Sequence, residues 1–420
     1  MRPEEDPLFM RSLGWEDYKQ EIAARLFGQS PPDSRDERWR YSRAQDFIPP
    51  SPTPVSEASA GGAENPCVLA SNDFLTVESE RLCDPKTREH LEHRLGLSVW
   101  TLKEAWEKKP EILRHALAHS PVRNHYFTRW NTVHVEEGYC LHVSGKGSDK
   151  RPLALVWNDK RSVAVRRLVL VLEADARLDL VETEAGFPGG FRHVVREVSL
   201  HPRAILRHVL LDSFGDRERW IWTTGVSLDA EAHYRATAVH AGNLHARHEL
   251  CMALEGADAH ATLNVATLLA EGRVFDLQTE IRHQADRTES RQLIHAAAAA
   301  RARSVYGGSI VVDRGTHATV SHQQSRGLLL DRGAEIDSRP ELRIHSDDVR
   351  CTHGASLGEL DPTMLFYLQS RGLEPVTARA ILLQAFALHA FDEPDDPTLL
   401  SPVTDRVERL VRHLASRIPA

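Results

Sequence analysis

Between about residue 130 and residue 349, short runs of Val, Leu and Ile alternate with polar residues. Examples are Val163 and Val165, LVLVL over 168–172, and Leu178 and Leu180. Alternation with a period of two sends successive side chains to opposite faces of an extended chain, so these runs predict strands. A longer rhythm lies over this one. A charged residue followed by Ala recurs as Asp175-Ala176, Arg203-Ala204, Glu231-Ala232 and Asp258-Ala259, spaced 28, 28 and 27 residues apart, each pair leading into a strand-like run. Related pairs follow at His317-Ala318 and Gly333-Ala334. A repeat of this length holding only short strands predicts a β-solenoid, whose stacked turns bury together a core that no single turn could bury. The rhythm alone leaves open an antiparallel sandwich with evenly spaced strands.

The flanks follow helical periodicity instead. Residues 8–28 place Leu13, Tyr18, Ile22 and Leu26 near a 3.6-residue period, and 86–119 offers Leu91, Leu95, Trp100, Leu102, Trp106, Ile112 and Leu113 as core positions. The Pro-, Gly- and Ser-rich stretch 49–64 between them reads as a linker. Towards the C-terminus, Asp361 is a good N-cap, Pro362 suits the first helical position, and Gly372 suits a helix stop. Further helices are expected over about 375–390 and 403–417, separated by the acidic DEPDDP segment. The expected organisation is a mainly helical N-terminal domain over 1–125, a β-helix core over 126–349 and a helical C-terminal domain over 350–420.

Composition narrows the function classes. The chain has 420 residues, 27% charged and 41% apolar, with a formal net charge of −8. It shows neither a global basic bias nor a basic run interleaved with aromatics, so nucleic acid and anionic membranes are not expected partners. No stretch approaches the ~20 apolar residues of a membrane span, and the acidic N-terminus lacks the apolar core of an export signal. The cysteines, Cys67, Cys83, Cys140, Cys251 and Cys351, are odd in number and far apart. A disulfide framework is therefore not expected, and a reducing cytoplasm is the natural setting. No phosphate loop, G-x-S-x-G or H-E-x-x-H occurs, and Asp347-Asp348, read as strand neighbours, would point to opposite faces. The chain is expected not to be an enzyme by itself.

One long segment carries a family likeness: PELRIHSDDVRCTHGASLGELD followed by LFYLQSRGL, within 307–391. It resembles the C-terminal signature of the SufB/SufD family of iron–sulfur cluster assembly scaffolds. The D-D-V-x-C-x-H-G version and Trp39-Arg40-Tyr41 near the start resemble the SufD branch. Ser325 agrees, because SufB chains carry a cysteine in the comparable segment and a hydroxyl cannot do a thiolate's chemistry. The resemblance implies a right-handed parallel β-helix flanked by helical domains. It also implies a complex with a SufB subunit and the SufC ATPase, no cofactor in the isolated chain, and a transient iron–sulfur cluster at the SufB interface.

Candidate residues follow from both sources. Cys351 and His353 stand at i and i+2, which in a strand would put them on one face, where a thiolate and an imidazole are suitable iron donors but too few to close a site. The resemblance implies that His353, with Cys351 beside it, contributes to a cluster shared with SufB. It further implies SufC docking by the C-terminal helices, for which Leu365, Phe366, Tyr367, Arg371 and Phe386 are the candidates. Competing readings are a SufB-like or homodimeric scaffold and a carbohydrate-active β-helix enzyme. The missing export signal counts against the enzyme.

Overall fold

The computed structural model describes residues 13–49, 73–145, 147–158, 161–184, 190–212, 218–391 and 397–418. The expected linker over 49–64, apart from Pro49, and most of the DEPDDP segment lie outside the described residues.

The middle of the chain is a parallel β-solenoid of about seven turns. Each of these turns gives one strand to each of two sheets, and the four strands before them bring each sheet to nine. The first sheet runs from Leu75–Glu78 and Leu153–Trp157 to Thr319–Leu329 and Val349–Gly358. The second runs from Leu97–Thr101 and Glu137–Val143 to Arg303–Val312 and Glu335–Ile344, all parallel except the antiparallel Leu97–Thr101. The sandwich alternative is thereby excluded.

The charged–Ala pairs mark one corner of the coil. Asp175, Arg203, Glu231 and Asp258 have φ of 64°, 62°, 57° and 60°, in the left-handed region, and the Ala after each is fully buried. The corner residue's N–H donates to the corner of the next turn, as from Asp175 to Pro202 O (3.0 Å) and from Arg203 to Ala230 O (2.9 Å), so the ladder continues around the bend. Asp175 and Arg203 also pair across adjacent turns at 2.7 Å, an exposed contact worth little to stability. Two later units depart from the marker. Arg287 takes the left-handed position with Thr288 buried behind it, and at 317–319 Ala318 itself has φ 55° while Thr319 fills the buried place. Gly333-Ala334 belongs to the opposite corner, leading into the second sheet.

Eight α-helices, among the described residues, flank the coil, and most of them cover its two outer faces. They are α1 (Trp15–Phe27), α2 (Pro85–Leu95), α3 (Leu102–Lys108), α4 (Pro110–His119), α5 (Tyr126–His134), α6 (Pro362–Ser370), α7 (Pro375–Leu388) and α8 (Pro397–Arg417). Trp15, Tyr18 and Trp106 of α1 and α3 pack on Val169 and Val171 of the second sheet, and Trp39, Phe47, Phe127 and Trp130 pack on Val165 and Ile221. Leu383, Val403, Val407, Leu410 and Val411 of α7 and α8 cover Val181, Val209, Val239 and Leu268 of the first sheet. A strand buried on both faces loses strict alternation, which explains continuous apolar runs such as LVLVL.

The expected domain boundaries shift accordingly. Strands Leu75–Glu78 and Leu97–Thr101 belong to the solenoid sheets although they lie among the N-terminal helices, and α5 joins the N-terminal layer beyond residue 125. At the other end, Val349–Gly358 is the last strand of the coil, so the C-terminal helices begin at Pro362. Gly354 sits within that strand. Asp347-Asp348 forms the bend before it, with Asp348 accepting the Ala318 N–H at 3.0 Å.

The solenoid interior is not wholly apolar. Glu182 is buried and accepts hydrogen bonds from Trp157 Nε1 (2.7 Å) and Arg196 Nε (2.9 Å), with His208 Nε2 at 2.8 Å. Burial would raise its pKa, but Arg196 and His208 outweigh that and hold the carboxyl far below its ordinary range. Arg167 and Glu197 form a second buried pair at 2.6 Å, on the face covered by the N-terminal helices.

Candidate functional site: the open end of the solenoid

Parallel strands offer hydrogen-bonding groups on both edges, and the last turn uses only one. Val349–Gly358 pairs with Thr319–Leu329, and Glu335–Ile344 pairs with Arg303–Val312; each leaves its outer edge without a strand partner among the described residues. Exposure follows. Val349–Gly358 has no buried residue, and Leu357 and Val320 are 55% and 40% exposed. An edge of this length is a template for another chain.

Cys351 and His353 stand on this terminal strand. Their register partners Ser321 and Gln323 are buried and face the lumen, so Cys351, His353, Ala355 and Leu357 form the lumen-side row of the last turn. Cys351 is half-buried, and burial raises its thiol above the ordinary range; His353 is exposed. Beneath His353 lies a polar chain: Gln323 Nε2 donates to Tyr306 Oη (2.7 Å), and Tyr306 Oη and Thr279 Oγ1 donate to Gln292 Oε1 (3.3 and 2.8 Å). Burial pushes the Tyr306 phenol up to about 12, so it remains a neutral donor. Ser325, beside this chain, accepts a 2.9 Å bond from Ser338 across the lumen. Among the described residues no three His, Cys, Asp or Glu side chains converge as a metal site. The two donors at this end need further ligands from outside the chain to close a coordination shell.

The C-terminal candidates divide. In α6, capped by Asp361 bonding to the Thr363 and Met364 N–H groups, no residue is buried. Met364, Phe366 and Tyr367 are 53%, 71% and 53% exposed, Leu365 is half-buried, and the exposed Arg371 lies 5.3 Å from the Tyr367 ring centre. Phe386 is separate from this group. It stacks on His295 of the solenoid at 4.8 Å, and its carbonyl lies 2.8 Å from His295 Nδ1, so it anchors α7 to the first sheet. His295, scattered among alanines in the sequence, gave no signal of that role.

Comparison with known proteins agrees with this geometry. The family model described as SUF system FeS cluster assembly, SufBD core domain, matches residues 155–386, from the second described strand of the first sheet into α7. An iron-sulfur cluster assembly SufBD family protein of Synechocystis is 26% identical over 400 residues, covering 89% of this chain and 86% of that one. The iron-sulfur cluster assembly protein SufD of Escherichia coli is 31% identical over 161 residues, and its counterpart in Bacillus subtilis 28% over 163. Those two alignments span 38% and 37% of the relatives' lengths.

Proposed function

The chain belongs to the SufBD core family of SUF-system iron–sulfur cluster assembly proteins, and from that premise we propose that it is a non-catalytic scaffold subunit of the SufD type. It pairs through the open end of its solenoid with a SufB subunit and docks the SufC ATPase through α6. The observation that carries this reading is the unpaired terminal turn, where two free edges and the exposed Leu357 accompany Cys351 and His353. Strand pairing across that end would bring a partner's ligands beside a thiol and an imidazole. The nascent cluster is cargo held between subunits rather than a resident cofactor. A cytoplasmic setting suits thiol ligands kept reduced, and no described helix is long and apolar enough to cross a membrane.

The test is co-expression with SufB and SufC, followed by size-exclusion chromatography of wild type and Leu357→Asp. Leu357 is exposed in the free chain, so the substitution should leave folding intact. Pairing would bury the new carboxylate, at a cost of several kcal/mol. The expected result is a wild-type complex containing both partners and a variant that retains SufC but loses SufB. A wild-type chain that elutes alone or as a homodimer, or a variant that holds SufB equally well, refutes the proposal.

A further inference from the structure

The outer face of the second sheet holds a constellation that the assembly reading does not use. In His245–Leu254, Arg247, Glu249 and Cys251 point away from the lumen, beneath the N-terminal layer. That layer gapes here, leaving a cleft of about 390 Å³ whose other lining residues include Arg38, Gln278, Gly307, Ser309, Arg339 and Arg343. Its floor follows the strand register: Cys251 stands beside Glu280, and Glu280 beside Ser309, while Glu249, Gln278 and Gly307 form the adjoining row.

His125, just ahead of α5, enters the cleft from above. Its Nε2 is 4.0 Å from Cys251 Sγ, and its Nδ1 is 3.3 Å from Glu249 Oε2. Glu249 is itself fixed by Arg247, whose Nη2 and Nε donate to Oε1 at 2.8 and 3.1 Å. The ring is thus held between a sulfur and an oriented carboxylate, the arrangement that activates a thiol nucleophile. Burial alone would keep His125 neutral, but the Cys251 sulfur and the Glu249 carboxylate outweigh it and raise its pKa to about 10. A protonated imidazole 4.0 Å from the Cys251 sulfur is placed to pass its proton to a departing sulfur. No other described thiol is paired with an imidazole: Cys83 lies beside the Arg88 guanidinium, Cys140 is fully buried and pushed up to about 12 by that burial, and burial also raises Cys351.

We propose that Cys251 is a nucleophilic thiol, paired with His125, that exchanges with low-molecular-weight disulfides entering this cleft. The charged groups around it occur as pairs, Asp36 with Arg38, Glu37 with Arg339 and Glu341 with Arg343, so both signs face the opening. That lining suits a disulfide bearing both carboxylate and ammonium groups, as glutathione disulfide does. In the reaction, the Cys251 thiolate attacks one sulfur of the disulfide and a new S–S bond forms. The original S–S bond breaks, its electron pair goes to the departing sulfur, and that sulfur takes a proton from His125 Nε2. A second thiol reverses the exchange.

The experiment treats the full chain with glutathione disulfide at neutral pH and follows each cysteine by peptide mass spectrometry. Cys251 should form its mixed disulfide at least tenfold faster than Cys83 or Cys351, and dithiothreitol should remove it. His125→Gln should slow Cys251 at least tenfold while leaving Cys83 unchanged. Equal rates at Cys251 and Cys83 in the wild type, or a His125→Gln chain with an unchanged Cys251 rate, overturn the proposal. Should His125→Gln fold poorly, the wild-type ratio alone decides.

Discussion

Replacing Phe366 and Tyr367 together with Ala separates docking from stability. Aromatic side chains of this kind can bury roughly 150–250 Å² each. At 71% and 53% exposure, the two rings therefore leave on the order of 250 Å² for a partner to cover. At ~25 cal/mol per Å², covering half of that gives about 3 kcal/mol, so the double variant should bind SufC roughly 100-fold more weakly. The free chain should hardly notice. Phe366 is about as exposed as in an unfolded chain, which already shields part of its apolar surface. The loss at Tyr367 is a small remaining area and an exposed contact with Arg371 worth about 0.5 kcal/mol. Alanine's higher helix propensity returns about 0.5 kcal/mol at each position. Titration calorimetry with purified SufC, beside a urea melt of both chains, makes the comparison. A dissociation constant within threefold of wild type, with an unchanged melt, would show that α6 is not the docking surface.

Two further outcomes are expected. His353→Ala removes an exposed imidazole, so folding should change by about 0.5 kcal/mol or less; complex assembly should persist while cluster yield falls. Reconstitution with iron and sulfide, read by visible absorbance and iron content, checks this, and full wild-type yield would exclude His353 as a ligand. Stability should also fall on acidification between about pH 6.5 and pH 4, in part through His283, whose ring nitrogens lie 2.8 and 2.9 Å from Thr288 Oγ1 and Ser290 Oγ. Burial lowers this imidazole from 6.5 to about 4. The unfolded chain therefore takes up its proton first, and the stabilisation, complete above 6.5, is lost as pH falls towards 4. Each unit is worth ~1.4 kcal/mol, so the contribution is on the order of 3 kcal/mol. Urea midpoints at pH 7.5, 6 and 5 should show a shallower decline for His283→Gln; parallel declines would refute the assignment.

The solenoid is legible in the sequence because one corner demands the same local solution in successive turns. A residue must accept positive φ, and the next must be small enough to disappear into the corner, so Asp175-Ala176 and its echoes recur at the coil's own period. Where Thr288 or Thr319 takes the small position, the echo is lost or displaced by one residue. The final strand is harder to read for the opposite reason. VRCTHGASLG buries nothing in this chain, so nothing obliges it to be apolar, and it does not look like a strand until its pairing with Thr319–Leu329 is seen. Spacing and family likeness together single out Cys351 and His353, and the structure places both on the terminal strand. Phe386 could not be told from the exposed aromatics of α6 without knowing which face of α7 meets His295. His125 and Cys251 are 126 positions apart, and only the wrapping of the N-terminal layer over the second sheet makes them neighbours.

The two ends of the coil are unequal. At the N-terminal end, the second sheet stops at the short antiparallel strand Leu97–Thr101, continuous with α3 and packed beside α2, whereas the opposite end stops at two long free strands. A rod that could accept neighbours at both ends would propagate into fibres. One with a single receptive end terminates growth as soon as that end is occupied. Union through the long free strands would therefore join two rods, leaving the short strands Leu75–Glu78 and Leu97–Thr101 at the outward ends of the pair.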